Sequence, residues 1–100
     1  MSDDPAVTDN QAASRFEYAA DGQLAELTYR LRAGRLVLLH TETPAAFQGH
    51  GIGGELVSAA IDRAERDGLV LVPLCPFART WLERHPDAAS RVTVDLAQAT

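Results

Sequence analysis

The sequence contains no lysine; all nine of its basic residues are arginine. That excludes a Schiff-base lysine, a Gly-Lys-Ser/Thr nucleotide loop and any self-modification on a lysine side chain. Cysteine is nearly as scarce. The single Cys75 cannot close an internal disulfide, which fits a reducing compartment and makes a cytoplasmic location the expectation. No apolar run approaches the ~20 residues of a membrane span, and the opening MSDDPAVTDN is acidic where a leader would be apolar. The arginines are scattered and the net charge is −5, so there is no basic stripe for nucleic acid. Three histidines and one cysteine show no metal-ligand spacing, and no metal site is expected.

What is present is a globular composition. One hundred residues, 46% of them hydrophobic, make a single small domain able to bury its own core. Residues 1–10 read as a tail and 11–100 as the domain. Arg15 to Ala20 alternates, with Phe16 and Tyr18 on one face, and Asp21-Gly22 follows as a type I′ hairpin signal. Residues 23–32 put Leu27, Tyr29 and Leu31 on one face and Glu26, Thr28, Arg30 and Arg32 on the other. Ala33-Gly34 turns the chain again, and Leu36 to Glu42 is apolar enough for a central strand. Three antiparallel strands with short connections form a meander.

Pro44 ends the third strand. From about Gly53 to Asp67, Leu56, Ala60 and Ala64 recur at i+4, as do Val57 and Ile61, with charges opposite; Gly68 closes this amphipathic helix. Leu69 to Leu74 reads as a buried strand. A second helix begins with Cys75 at the N-cap and Pro76 at its first position. Phe77 and Trp81 face one way in it, Arg79 and Glu83 pair, and His85-Pro86 ends it. Arg91 to Leu96 alternates as a further short strand. The class is α+β with a mixed sheet: an antiparallel meander, then loop-α-β-α.

Between meander and helix lies QGHGIGG, residues 48–54, four glycines in seven positions. Gly49, Gly51 and Gly54 satisfy the dinucleotide pattern G-x-G-x-x-G, while Gln48, Gly51 and Gly53 satisfy Q-x-x-G-x-G. The dinucleotide pattern needs a parallel βαβ unit and an acid about 20 positions on. The residues there are LVLVPL, with no acid, and the loop follows an antiparallel meander. That reading fails on context. A plain turn letting the helix pack closely is the bland alternative. The sharper one is an anion held by the loop amides and the helix N-terminus.

With RFEY at 15–18, the glycine loop, PLCPF at 73–77 and HP at 85–86 in that order, most of the chain resembles the small GNAT-like acetyltransferase domains, relatives of the Gcn5-related N-acetyltransferases. The resemblance implies a minimal form of that fold, without the N-terminal strand and helices that shape the acceptor site in full-size members. It implies acetyl-CoA as co-substrate and an unidentified amine or peptide as acceptor. Its pyrophosphate would lie on Gln48, Gly49, His50, Gly51, Ile52, Gly53 and Gly54, and its pantetheine along the backbone of Leu39 to Thr41. A backbone N–H of that strand would face the acetyl carbonyl.

Transfer to an amine needs a base and a proton for the leaving thiolate. Glu42 is the expected base and His40 the runner-up, both at the end of the third strand and on one face of it. The plainer alternatives are a solvated carboxylate and a hydrogen-bonded structural histidine. Many relatives carry a tyrosine on the last helix as acid; here that helix has Trp81 and no tyrosine. Cys75, at a helix N-terminus, is the candidate for carrying the acetyl group covalently, against its reading as a small buried hydrophobe. A non-catalytic acyl-CoA-binding or protein-interaction module is the competing function. Exposed strand edges make a homodimer an expectation.

Overall fold

The computed structural model describes residues 7–96. A five-stranded mixed sheet runs in order β1 (Thr8–Asn10), β2 (Arg15–Ala20), β3 (Gln23–Arg32), β4 (Arg35–Glu42) and β5 (Val70–Pro73). The first four strands are antiparallel neighbours, and β5 joins β4 in parallel. Three helices, α1 (Ile52–Asp67), α2 (Pro76–Arg84) and the single turn α3 (Pro86–Ala89), follow the meander. Among the described residues no helix is long and apolar enough to cross a membrane.

Both hairpins turn as their sequences dictate. Asp21 and Gly22 have φ of 53° and 74°, and Ala33 and Gly34 have 52° and 77°, the paired positive angles of a type I′ turn. Gly68, at φ 66°, caps α1, its amide donating to Ala64 O. Two expectations shift. Thr8 to Asn10, expected within a tail over 1–10, pair with Arg15 to Glu17 as β1; residues 1–6 of that tail lie outside the described residues. The strand expected over 91–96 reduces to one parallel bridge, Leu71 to Val94, in which Leu71 N–H donates to Thr93 O and Leu71 O accepts from Asp95 N–H.

Helices α1 and α2 lie against one face of the sheet, and α3 packs on those two helices. Phe16, Leu27, Leu36 and Leu38 on the strands meet Leu56, Val57, Ala60 and Ile61 on α1, each essentially fully buried. Leu31, expected in that core, is 47% exposed because it stands at the end of β3, past the helical cover. Among the described residues no helix covers the opposite face.

The edge strand β1 is tied down by charge. Arg63, 6% exposed in α1, donates to Asp9 at 2.5 Å and to Asp67 at 2.6 Å. The Tyr29 hydroxyl donates to Asp9 at 2.6 Å, closing the network. Burial opposes the arginine's charge, but the bonds to Asp67, Tyr29 and Asp9 outweigh it and push the guanidinium pKa up. Burial, with Asp9 beside it, raises the Tyr29 phenol as well. The network holds residues 54 apart in sequence.

Candidate functional site

The pairing of β3 with β4 skips one residue. Tyr29 faces Leu38, but Thr28 faces His40, leaving Leu39 without a partner in a β-bulge. In an unbroken strand Leu36, Leu38, His40 and Glu42 would share a face. The bulge divides them. Leu36 and Leu38 stay under the helices, Thr41 turns inward opposite Leu27, and His40 and Glu42 turn out onto the uncovered face. There His40 Nε2 and Glu42 Oε1 are 2.8 Å apart, with side chains about two-thirds exposed at 66% and 67%.

At the same place β4 and β5 separate. Their last paired residues are Leu38 and Pro73, and Leu38 O then accepts from both Leu74 N–H and Cys75 N–H at 3.0 Å. Beyond this fork β5 offers β4 no partner, because Pro76 starts α2 and takes the chain away. Thr41 Oγ1 and Cys75 Sγ, 3.1 Å apart, close the inside of the fork. Cys75 does occupy the N-cap of α2, but it is 3% exposed and part of the core cluster.

The glycine loop lies on the helical side. A short 3₁₀ turn (Ala45–Phe47) leads into it, and Gly49 and Gly51 adopt φ of 84° and 75°, which glycine takes without strain. Gly51 is the N-cap of α1 with no side chain capping it, and the amides of Ile52, Gly53 and Gly54 have no acceptor among the described residues. Gly53 and Gly54 serve another purpose. A Cβ at Gly53 would meet Phe77 Cζ at 2.6 Å, and one at Gly54 would meet Trp81 Nε1 at 2.5 Å. Half of the glycines therefore shape the loop, and half admit two aromatic rings against the first turn of α1.

Loop, rings and strand end enclose a groove of about 390 Å³, in the ordinary range for small-ligand sites of ~300–1,000 Å³. Gln48, Gly49, Gly51, Ile52, Gly53 and Gly54 line it, as the loop motif suggested. His50 does not; it borders a separate depression with Tyr18, Asp21 and Gln23. Leu39 and Thr41 stand at the fork beyond the groove. Sequence reasoning missed the walls, Thr43, Phe47, Phe77 and Trp81. The i,i+4 spacing of Phe77 and Trp81 marked a common face, and Gly53-Gly54 is the complementary signal for what that face meets. Trp81 is fixed from behind by His85, whose ring stacks on it at 3.9 Å and whose Nδ1 lies 2.8 Å from Trp81 O.

The arrangement has two sides, separated by the sheet and by the Thr41–Cys75 contact that closes the fork. On one side lies a groove with unpaired helix amides, and on the other an exposed carboxylate–imidazole pair stands just past the fork. No protein of curated function matches the chain. Among known families, GCN5-related N-acetyl-transferase matches residues 15–92, more than three-quarters of the chain, across the meander, the loop and both helices that wall the groove. The chain belongs to the GCN5-related N-acetyltransferase family.

Proposed function

We propose that the protein transfers the acetyl group of acetyl-CoA to an amine, the two substrates approaching from opposite faces of the sheet. The observation that carries this reading is the fork after Leu38, with the glycine-loop groove on its helical side and the His40–Glu42 pair on the other. The amides of Ile52, Gly53 and Gly54 suit a pyrophosphate, since each needs an acceptor and the helix dipole favours an anion by ~0.3–1 kcal/mol. The aromatic walls Phe77 and Trp81 suit the apolar stretch of a pantetheine arm. The backbone of Leu39 to Thr41, which β5 leaves unpaired, suits its amides and the acetyl carbonyl.

In this reading Glu42 takes a proton from the acceptor ammonium, and His40, bonded to it, keeps the carboxylate oriented. The amine nitrogen forms a bond to the acetyl carbon, the carbon–sulfur bond breaks, and the leaving thiolate takes up the second proton that the nitrogen sheds as the neutral amide forms. Cys75 is better suited to a structural part than to carrying the acetyl group, because its thiol is buried and bonded to Thr41. The competing module without turnover draws on the exposure of His40 and Glu42, which nothing but their own contact holds in place.

Trp81 is the single tryptophan, so its fluorescence reports on the groove directly. Titration with acetyl-CoA should give a saturable change, with free-thiol release in the presence of an amine panel. Glu42→Gln should keep the fluorescence change and lose turnover by ~10²-fold or more. No fluorescence or calorimetric response to acetyl-CoA would overturn the reading. Binding without thiol release from any amine would favour the module.

A further inference from the structure

The uncovered face of the sheet is charged unevenly. Six of the nine arginines have a carboxylate partner: Arg15, Arg35, Arg63, Arg66, Arg79 and Arg91. Among the described residues Arg30, Arg32 and Arg84 have none. In a chain of net charge −5 an arginine without an acid beside it is unusual, and two of these three stand on the same strand face. Arg30 pairs with Val37 across β3 and β4, and Arg32 with Arg35. Both arginines border a depression of about 270 Å³ whose floor is Val37 and Val72. Val72, on the floor, is 2% exposed. Leu74, at the rim, is the residue whose amide marks the fork.

The other end of the same face carries three carboxylates, Glu17, Glu26 and Glu42, against one guanidinium, Arg15, which pairs with Glu17 and Glu26. Stepping along β3, the outward residues are Glu26, Thr28, Arg30 and Arg32, opposite Glu42, His40, Val37 and Arg35 on β4. The face thus runs from an excess of carboxylate beside the fork to guanidiniums that have no partner among the described residues, with Val37 and Val72 as an apolar floor beside them. Its charge complements a chain that presents an ammonium first and a carboxylate further on. Adjacent outward rows are about 7 Å apart, so Arg30 lies about 7 Å and Arg32 about 13 Å from the His40 row. An extended peptide rises about 3.3 Å per residue. The spacing corresponds to an acid two to four residues beyond the reacting amine.

We propose that Arg30 and Arg32 select the acceptor: a peptide whose amine is followed, two to four residues on, by an acidic side chain lying over Val37, Val72 and Leu74. This rests on the acetyl-transfer reading for the position of the amine, but the arginine site binds peptide whether or not acetyl-CoA is present. Guanidinium pairs with carboxylate bidentately, which suits a site that must fix the register of an extended chain.

The test is fluorescence anisotropy at low salt with three C-terminally labelled hexapeptides. One has a free amino terminus and glutamate at positions 3 to 5, one has glutamine there, and one is the glutamate peptide with its amino terminus blocked. The glutamate peptide should bind at least fivefold tighter than the glutamine peptide, and more tightly than its blocked form. In R30Q/R32Q the preference for glutamate should fall below twofold, whereas R84Q should keep it. Circular dichroism of the double variant establishes that it is folded, and acetyl-CoA titration of Trp81 should be unchanged in it. Equal binding of glutamate and glutamine peptides, or a preference that survives in R30Q/R32Q, overturns the proposal. If the preference holds but acetyl-CoA does not bind, the arginine site stands and the acetyl-transfer reading fails. If acetyl-CoA binds and is turned over without any acidic preference, the reverse is true.

Discussion

Gly54→Ala separates two effects of opposite sign. Gly54 lies in the first turn of α1, where alanine is favoured over glycine by ~0.5–1 kcal/mol. Against this, the new methyl carbon would stand 2.5 Å from Trp81 Nε1 and 3.3 Å from Cε2, well inside contact distance. The indole has little room to retreat, because it is rigid, half-buried and backed by the stacked His85 ring at 3.9 Å. Overpacking of this kind costs ~1–3 kcal/mol. The repulsion should win, with a net loss of about 1 kcal/mol, or ~4–8 °C in Tm for a domain this size. Gly53→Ala is the internal control. Its methyl would meet the far edge of Phe77, at 2.6 Å, but that ring is 44% exposed and can rotate into solvent. Its stability should therefore stay within ~0.5 kcal/mol of the parent. Urea unfolding followed by circular dichroism, with Trp81 emission as a local probe, measures both. A Gly54→Ala protein as stable as the parent, with unchanged emission, would refute the account of these glycines as seats for the aromatic walls.

Arg63→Met keeps the buried stem but strands Asp9 beside the core, and should cost ~3 kcal/mol, the lower end for a broken buried pair because Asp67 remains partly solvated; a loss under ~1 kcal/mol in urea unfolding would show that β1 is not held by this network. Hydrogen bonds from Arg63 and Arg15 hold the Asp67 and Glu17 carboxyls below their ordinary range. Their contribution is complete above the unfolded carboxylate pKa and should be lost as pH falls below about 4.5, seen as a falling urea midpoint. The Tyr29 phenol, raised mainly by burial, acts in the opposite direction: its contribution is present below about pH 10 and lost above, an alkaline limb that Tyr29→Phe should remove. Ala33 holds φ 52° beside Gly34, so Ala33→Asn, giving the preferred Asn-Gly turn, should stabilise by ~0.5–1 kcal/mol; no gain in Tm would mean the turn carries no strain.

The elements most legible in the sequence are those with a local cause. Asp21-Gly22 and Ala33-Gly34 fix two hairpins through turn geometry, the i,i+4 repeat of Leu56, Ala60 and Ala64 fixes α1, and Pro76 fixes the start of α2. What escaped has a distant cause. Thr8–Asn10 is too short and polar to announce a strand, and Asp9 is drawn to the sheet edge by an arginine 54 residues away. Cys75 is readable as an N-cap, but its burial depends on Thr41 coming inward 34 residues earlier in the chain. The walls of the groove form only when α2 returns to the start of α1.

The bulge at Leu39 has no local signature at all, and the site depends on it. LVLLHTE is continuous in β-forming character, and read with a strict period of two it places His40 and Glu42 beneath the helices with Leu36 and Leu38. Two ionisable groups buried there would each cost several kcal/mol unless paired. The chain avoids that cost by slipping one residue at the point where β5 leaves, so the same skip that turns His40 and Glu42 to solvent also turns Thr41 inward beside Cys75. Core and candidate site are thus not independent features of β4. Four residues with apolar side chains secure the strand up to Leu39, a fork frees its backbone, and the polar residues after it become accessible because the register changes there. The slip is a consequence of hydrophobic pattern and polar cost acting on one strand, and it puts His40 and Glu42 on the face opposite the groove.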